Sequence, residues 1–166
     1  SRERMRQKTA QLRKHLTTHR DRLVRKLAAQ AQDLEATANR QQYKEWGDII
    51  SANLYRVQRG DKSLRAQNFF SPQGEEIEIP LDPKFTPAKN AQKYYTEYRK
   101  AATAEEKLQE LMAAGSQELS YLESAIAELE RASGEEELQG IREELISQGY
   151  IRQESRQKQR PGKLPP

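Results

Sequence analysis

Two histidines, His15 and His19, stand four residues apart. On a helix this spacing puts both imidazoles on one face, as metal ligands require. Leu16, however, stands where a zinc peptidase carries its catalytic glutamate, and no third ligand is evident. These are also the only histidines, so histidine acid–base chemistry would have to use them. Cysteine is absent, which excludes disulfides, cysteine-ligated zinc and thiol nucleophiles. Gly60-Asp61-Lys62-Ser63 resembles the end of a phosphate-binding loop, but the required upstream glycine is Tyr55 and an aspartate would face the phosphate. Arg59-Gly60-Asp61 spells an integrin-type tripeptide that reads more simply as a turn at a helix end. No enzyme activity, cofactor or metal is expected.

The basic residues are more informative. Arg56, Arg59, Lys62 and Arg65 cluster in mid-chain, and Lys89, Lys93, Arg99 and Lys100 flank Tyr94, Tyr95 and Tyr98. Cations interleaved with aromatics can grip phosphates and stack on exposed bases, so these eight are candidate RNA-binding residues. A third group, Arg13, Lys14, Arg20, Arg22, Arg25 and Lys26, crowds the N-terminal segment. The alternative is structural: the N-terminal cations pair with Glu105 to Glu144, and the tyrosines fill a seam and a core.

What elements would position these groups? The chain has 166 residues, 34% hydrophobic and 33% charged, with a mean hydropathy of −1.07. Ala, Glu, Lys, Leu and Arg make up half of it, a composition that with helical periodicity means long helices or coiled coil. Net charge is +7 over residues 1–40, +2 over 41–104, −9 over 105–151 and +4 over 152–166. From Tyr94 an alternating four–three seam runs through Tyr98, Ala101, Glu105, Leu108, Met112, Gly115, Leu119, Leu122 and Ile126 to Leu129. Thr86-Pro87 is a helix start, Thr103 with Glu106 a possible internal break, and Ser133-Gly134 a stop. From Asn90 to Arg131 such a helix would be roughly 60 Å long. The N-terminal segment carries a looser seam at Met5, Leu12, Leu16, His19, Leu23, Leu27, Ala31, Leu34 and Ala38, with no Gly or Pro before residue 47. Its four-plus-four step at Leu23, Leu27 and Ala31 is a stutter. Neither arm can bury its seam alone, so an antiparallel pair, basic against acidic, is expected. Separate homodimeric coils are the alternative.

Between the arms the texture changes, and the only Trp and all three Phe lie here. Tyr43, Trp46, Ile49, Ile50, Leu54 and Val57 repeat as a short amphipathic helix that Gly60 would end. Leu64 and Ala66, then Ile77, Ile79 and Leu81, alternate with polar residues around Ser71-Pro72-Gln73-Gly74, which suits a type I turn. A β-hairpin packed on the Trp46 helix follows. The fold class is therefore mainly α: a long antiparallel two-helix coiled coil with a small α+β module at its tip. The expected boundaries are arm one 1–39, module 40–86, arm two 87–133, a short helix 134–151 and a basic linker 152–166. Ser133 with Glu136 reads as that short helix's capping box and Gly149 as its stop. No apolar run approaches the roughly 18 residues of a membrane helix, no signal peptide is visible, and the missing initiator Met suggests a piece of a longer protein.

Gly47-Asp48-Ile49-Ile50-Ser51-Ala52-Asn53-Leu54-Tyr55-Arg56 resembles the opening of the middle region of NFACT-family proteins. So do Ile79-Pro80-Leu81-Asp82-Pro83, Asn90-Ala91-Gln92-Lys93-Tyr94-Tyr95, Tyr98-Arg99-Lys100, Tyr121-Leu122-Glu123 and the run from Ile141 to Tyr150. The likeness covers Trp46 to Ile151; the first arm matches in heptad character alone. It implies a cytoplasmic ribosome quality-control factor that binds large ribosomal subunits still holding peptidyl-tRNA, recruits alanyl-tRNA and supports alanine tailing of stalled chains. It implies contact with rRNA and the stalk base, and with tRNA through other domains of the parent protein. The family's tRNA-contacting Asp-Arg motif belongs to an N-terminal domain expected to lie outside this piece, so the resemblance assigns it to no residue here. The acidic second arm departs from an RNA-facing surface, so RNA contact is expected from the basic arm or the module. Two alternatives stand beside this: a surface adhesin that binds fibronectin, as an older name in the family suggests, and a structural spacer between other domains.

Overall fold

The computed structural model describes residues 1–153, and most of the expected basic linker lies outside them. The elements are α1 (Arg2–Ala36), a 3-10 turn at Thr37–Asn39, α2 (Arg40–Ala52), a second 3-10 turn at Leu54–Arg56, β1 (Ser63–Gln67), β2 (Glu76–Pro80), α3 (Pro87–Arg131) and α4 (Glu135–Ser147). They form two compact units. One contains Ser1–Leu27 and the described residues from Ala114 onward; the other is Ala28–Ala113. The fold is mainly α with one small antiparallel sheet.

In the first unit Leu12, Leu16 and Leu23 of α1 bury against Leu122, Ala125 and Leu129 of α3. The pairing is antiparallel: Arg13 pairs with Glu130, and Leu27 lies against Gly115. The helix α4 completes a three-helix core with Leu138, Ile141 and Leu145, whose three–four spacing gives it an apolar face that must be covered. Full burial of each such side chain contributes about 1.5–3 kcal/mol. Gly149, at φ 83°, closes α4: its N–H donates to the Ile146 carbonyl, and the Tyr150 N–H to the Leu145 carbonyl. This double bond pattern is a Schellman cap. At the other end Glu137, rather than Glu136, accepts from the Ser133 N–H at 3.1 Å. The N-cap is Gly134, one residue later than expected, so the third helical residue is Glu137.

The second unit is organised by the hairpin. Leu64 pairs with Ile79 and Ala66 with Ile77. That face, with Leu81, packs on Ile49, Ile50 and Trp46 of α2 and on Ala91 of α3. The connection contains the expected Ser71–Gly74 turn, with the Gly74 N–H donating to the Ser71 carbonyl at 3.0 Å. Gly47 is buried because the Tyr95 ring occupies the space of a side chain: a Cβ there would lie 2.7 Å from a ring carbon. The start of α3 is capped as expected, the Lys89 N–H donating to Thr86 Oγ1 at 3.1 Å.

Four further expectations change. The Trp46 helix ends at Ala52, not near Gly60, because the Asn53 side-chain amide donates to the Ile49 carbonyl at 2.8 Å and the chain turns. Leu54 is thereby carried off the apolar face to 40% exposure, while Val57 stays buried. No break occurs at Thr103; α3 runs continuously. In the first arm the buried positions after Leu27 are Gln30 and Thr37, not Ala31 and Ala38. The expected four-plus-four step at Leu23, Leu27 and Ala31 is absent: after Leu23 the seam runs through Leu27, Gln30, Leu34 and Thr37 by four and three in turn, and two polar residues fall on it. Finally, of the ion pairs among the described residues only Arg13–Glu130 and Arg40–Glu105 join the basic segment to the acidic one. The helices meet through their leucines, and most N-terminal cations remain in solvent.

Candidate nucleic-acid interface

All eight candidate cations lie in the second unit, and the structure separates them into three groups. The Arg56 guanidinium, on the turn after α2, donates to the Arg65 carbonyl at 2.9 Å and to Asn53 Oδ1 at 3.3 Å. Arg65 stands on the exposed face of β1, opposite Glu78 in the register. These two arginines thus share one corner of the hairpin.

The second group surrounds the loop between β2 and α3. Arg59 donates to the Lys84 carbonyl at 3.2 Å, and the Leu81 N–H donates to the Lys62 carbonyl at 2.9 Å. The Lys89 and Lys93 ammonium groups each lie 5.6 Å from the centre of the Phe85 ring, within cation–π range. Lys93 also pairs with Asp82 at 3.9 Å. The loop is fixed from inside by Asn90, which is only 3% exposed. Its Oδ1 accepts from the Asp82 N–H at 2.8 Å, and its Nδ2 donates to the Asp82 and Thr86 carbonyls at 3.1 and 3.2 Å. A buried amide with its donors and acceptor satisfied holds the loop in one conformation. Arg59, Lys62, Lys84, Lys89 and Lys93 are therefore presented from a fixed frame. Lys84 was missed in the sequence because it stands alone between prolines and phenylalanine; only the fold brings it to Arg59.

Arg99 and Lys100 form the third group, on an exposed face of α3 with Thr103 and Lys107. Arg99 donates only to Thr96 Oγ1, at 3.3 Å.

The tyrosines beside these cations serve the core. Tyr94 donates its hydroxyl to the Pro80 carbonyl and meets the rings of Trp46 and Tyr43. Tyr95 donates to Asp48 Oδ1 at 2.6 Å. Burial raises the pKa of both, Tyr43 adding to the effect at Tyr94 and the Asp48 hydrogen bond at Tyr95. The exposed aromatics lie elsewhere: Tyr55 at 83%, Phe69 at 55% and Phe70 at 42%. The signal for Tyr55 was its place off the apolar repeat, between Leu54 and Val57.

The two histidines lie in the first unit, their ring centres 4.9 Å apart. His15 Nε2 bonds the Tyr150 carbonyl, and His19 meets the Tyr150 ring edge-on at 5.4 Å. Tyr150 stacks on Tyr121 and donates to Glu118 at 2.8 Å; burial and that bond push its pKa up to about 12. The His19 pKa is lowered by burial, then by His15 and Arg22. This cluster ties the end of α4 to α1 and α3. Among the described residues no group of three or more His, Asp or Glu is placed to hold a metal.

Residues 1–163 match the NFACT N-terminal and middle domains. The chain is similar to Rqc2 homolog RqcH of Bacillus subtilis (strain 168), 31% identical over 163 residues, covering 96% of this chain and 28% of that protein. It is also similar to Rqc2 homolog RqcH of Streptococcus suis (strain 05ZYH33), 33% identical over 157 residues, covering 95% and 28%. The chain thus spans 28% of the length of these curated relatives. A solved structure of the C-terminal part of the fibronectin/fibrinogen-binding protein from Streptococcus suis aligns with a TM-score of 0.61 at 25% identity, covering 93% of this chain and 48% of that one.

Proposed function

The chain belongs to the NFACT family, and from that we propose that it is the ribosome- and RNA-binding coiled-coil and middle region of a ribosome quality-control factor. In this reading the parent protein binds obstructed large ribosomal subunits and supports alanine tailing of the stalled chain. This region contacts rRNA at the stalk base, and tRNA is held by other parts of the parent. It is a binding element in the cytoplasm, not an enzyme, and needs no cofactor. Among the described residues no helix is long and apolar enough to cross a membrane. The observation that carries the reading is the gathering of Arg59, Lys62, Lys84 and Lys89 around a loop fixed by buried Asn90. Such a cluster supplies phosphate contacts whose strength falls with salt.

The test is co-sedimentation of the full-length protein with large subunits carrying peptidyl-tRNA, across a salt series. Charge reversal at Arg56, Arg59 and Lys62 should weaken binding about tenfold or more and flatten the salt slope by about one per lost phosphate contact. Circular dichroism should show the helices intact. Binding that ignores salt, or survives the reversals unchanged, overturns the assignment. A second reading, a fibronectin-binding surface protein, is favoured by the fold likeness to a protein of that name. It requires fibronectin capture by intact cells that is lost when residues 40–100 are deleted.

A further inference from the structure

We propose that Tyr55 is a stacking platform for one unpaired RNA base, with Arg56 and Arg59 set to receive the phosphates beside it. The inference rests on the RNA-binding reading above and deepens it by naming the RNA feature recognised: an unstacked nucleotide in a loop, not a duplex backbone.

Tyr55 is the most exposed large hydrophobic side chain among the described residues, at 83%. Five of the other tyrosines have a ring or hydroxyl partner: Tyr43, Tyr94, Tyr95, Tyr121 and Tyr150. Tyr55 has neither a ring contact nor a side-chain hydrogen bond. Its backbone is nevertheless held. The Arg56 N–H donates to the Asn53 carbonyl at 2.9 Å, and the Val57 N–H to the Leu54 carbonyl at 3.2 Å. Asn53 is tied back to α2, and Val57 is buried in the core immediately after the turn. An aromatic ring presented on a fixed turn loses little conformational freedom on binding.

The flanking cations are also oriented. Arg56 is steered by the Arg65 carbonyl and Asn53, and Arg59 by the Lys84 carbonyl. A guanidinium has five N–H donors, so each keeps several for a phosphate. The carboxylate of the neighbouring acid Asp61 is engaged by the backbone, accepting from the Gln58 N–H at 2.9 Å. The surroundings of the ring are therefore cationic. That favours a nucleotide over an apolar peptide as the occupant. A ring can stack only on a base whose face is free, which a duplex does not offer, so the target is unpaired.

The experiment measures binding of the full-length protein to a labelled oligoadenosine strand and to a blunt RNA duplex of equal phosphate count, together with its co-sedimentation on large subunits. The expected result is tighter binding to the single strand. Tyr55→Ala should reduce that binding about tenfold while leaving duplex binding and the salt slope unchanged, and Tyr55→Phe should retain it. Thermal unfolding should be the same in all three proteins, because the side chain has no partner to lose. If Tyr55→Ala binds the single strand normally while Arg56 and Arg59 reversals weaken both RNAs, stacking is overturned and the RNA-binding reading stands. If neither RNA is bound, both fall. If Tyr55→Ala loses only large-subunit binding, the platform meets a protein instead, and the proposal is overturned.

Discussion

The two units solve the problem of burying a core in different ways. The first is held by leucine and isoleucine on three helices, with most of its charges left in solvent. The second has an apolar core of similar kind but borders it with directed polar bonds: Asn90 to the loop carbonyls, Tyr95 to Asp48, and Tyr94 to Pro80. Apolar packing is non-directional and tolerates sliding or substitution. Buried hydrogen bonds fix one geometry, at high cost when a partner is lost. A region that must hold short loops, and the cations on them, in one arrangement needs the second strategy. A helical bundle that positions nothing needs only the first.

The sharpest way to break this contrast is to remove the loop's internal support. Asn90→Ala leaves the Asp82 N–H without its partner in a buried site, while the Asp82 and Thr86 carbonyls lose their second donor and keep one backbone N–H each. At about 1–3 kcal/mol for an unsatisfied buried group, the upper part of that range is expected, because the weakened carbonyl bonds add to the lost N–H bond. The denaturation midpoint should fall accordingly, and RNA or ribosome binding should weaken even where the protein remains folded. Loss of stability without loss of binding would mean that the loop does not present the cations.

A smaller effect compares two glycines that face equally close neighbours. A Cβ at Gly47 would lie 2.7 Å from the Tyr95 ring, and one at Gly115 would lie 2.7 Å from a Leu27 methyl. Tyr95 is anchored through its hydroxyl to Asp48, so the ring cannot yield. Gly47→Ala should cost about 2 kcal/mol by overpacking. Leu27 ends in a flexible, half-buried side chain that can rotate away. Gly115→Ala should be within about 0.5 kcal/mol of neutral, because alanine's helix preference of about 1 kcal/mol offsets the shift. Equal penalties in denaturant unfolding would erase the distinction between the units.

The same contrast explains which parts of the fold were legible in the sequence. The leucine seam, the hairpin alternation and the Thr86-Pro87 helix start are periodic or local signals, and each appears where its pattern places it. The end of α2 was not legible, because Asn53 stops the helix with a side-chain bond while the apolar spacing continues through Leu54 to Val57. Gln30 and Thr37 were missed because a reading by hydrophobicity passes over polar residues that a regular seam buries. At the candidate interface the sequence named the cations but not their grouping. The approach of Lys84 to Arg59 is made by hairpin and loop together, across a separation no local pattern spans. Tyr94 and Tyr95 stand beside lysines in the sequence, yet the fold engages both with the core and leaves Tyr55 outside.

The smallest expected effect lies in the first unit, whose one polar cluster responds to pH. The His19 imidazole is held below its ordinary value of 6.5 by burial first, then by the nearby charges of His15 and Arg22, against the opposing pull of Glu118. Tyr150 from the end of α4 covers its ring, and Tyr150 itself donates to Glu118. A histidine whose folded pKa is depressed binds its proton more readily when unfolded. Between the folded and unfolded pKa values the unfolded state therefore carries more protons, and stability rises with pH across that window. The contribution is present above pH 6.5 and is lost as pH falls through the folded value. Unfolding midpoints measured downward from neutral pH should decline more steeply in the native protein than in His19→Gln, where the amide cannot charge. Hydrogen exchange should locate the loss at the end of α4, since Tyr150 packs on His19. A decline of equal slope in both proteins would assign the acid sensitivity to carboxylates, and the first unit would then be held by its leucines alone.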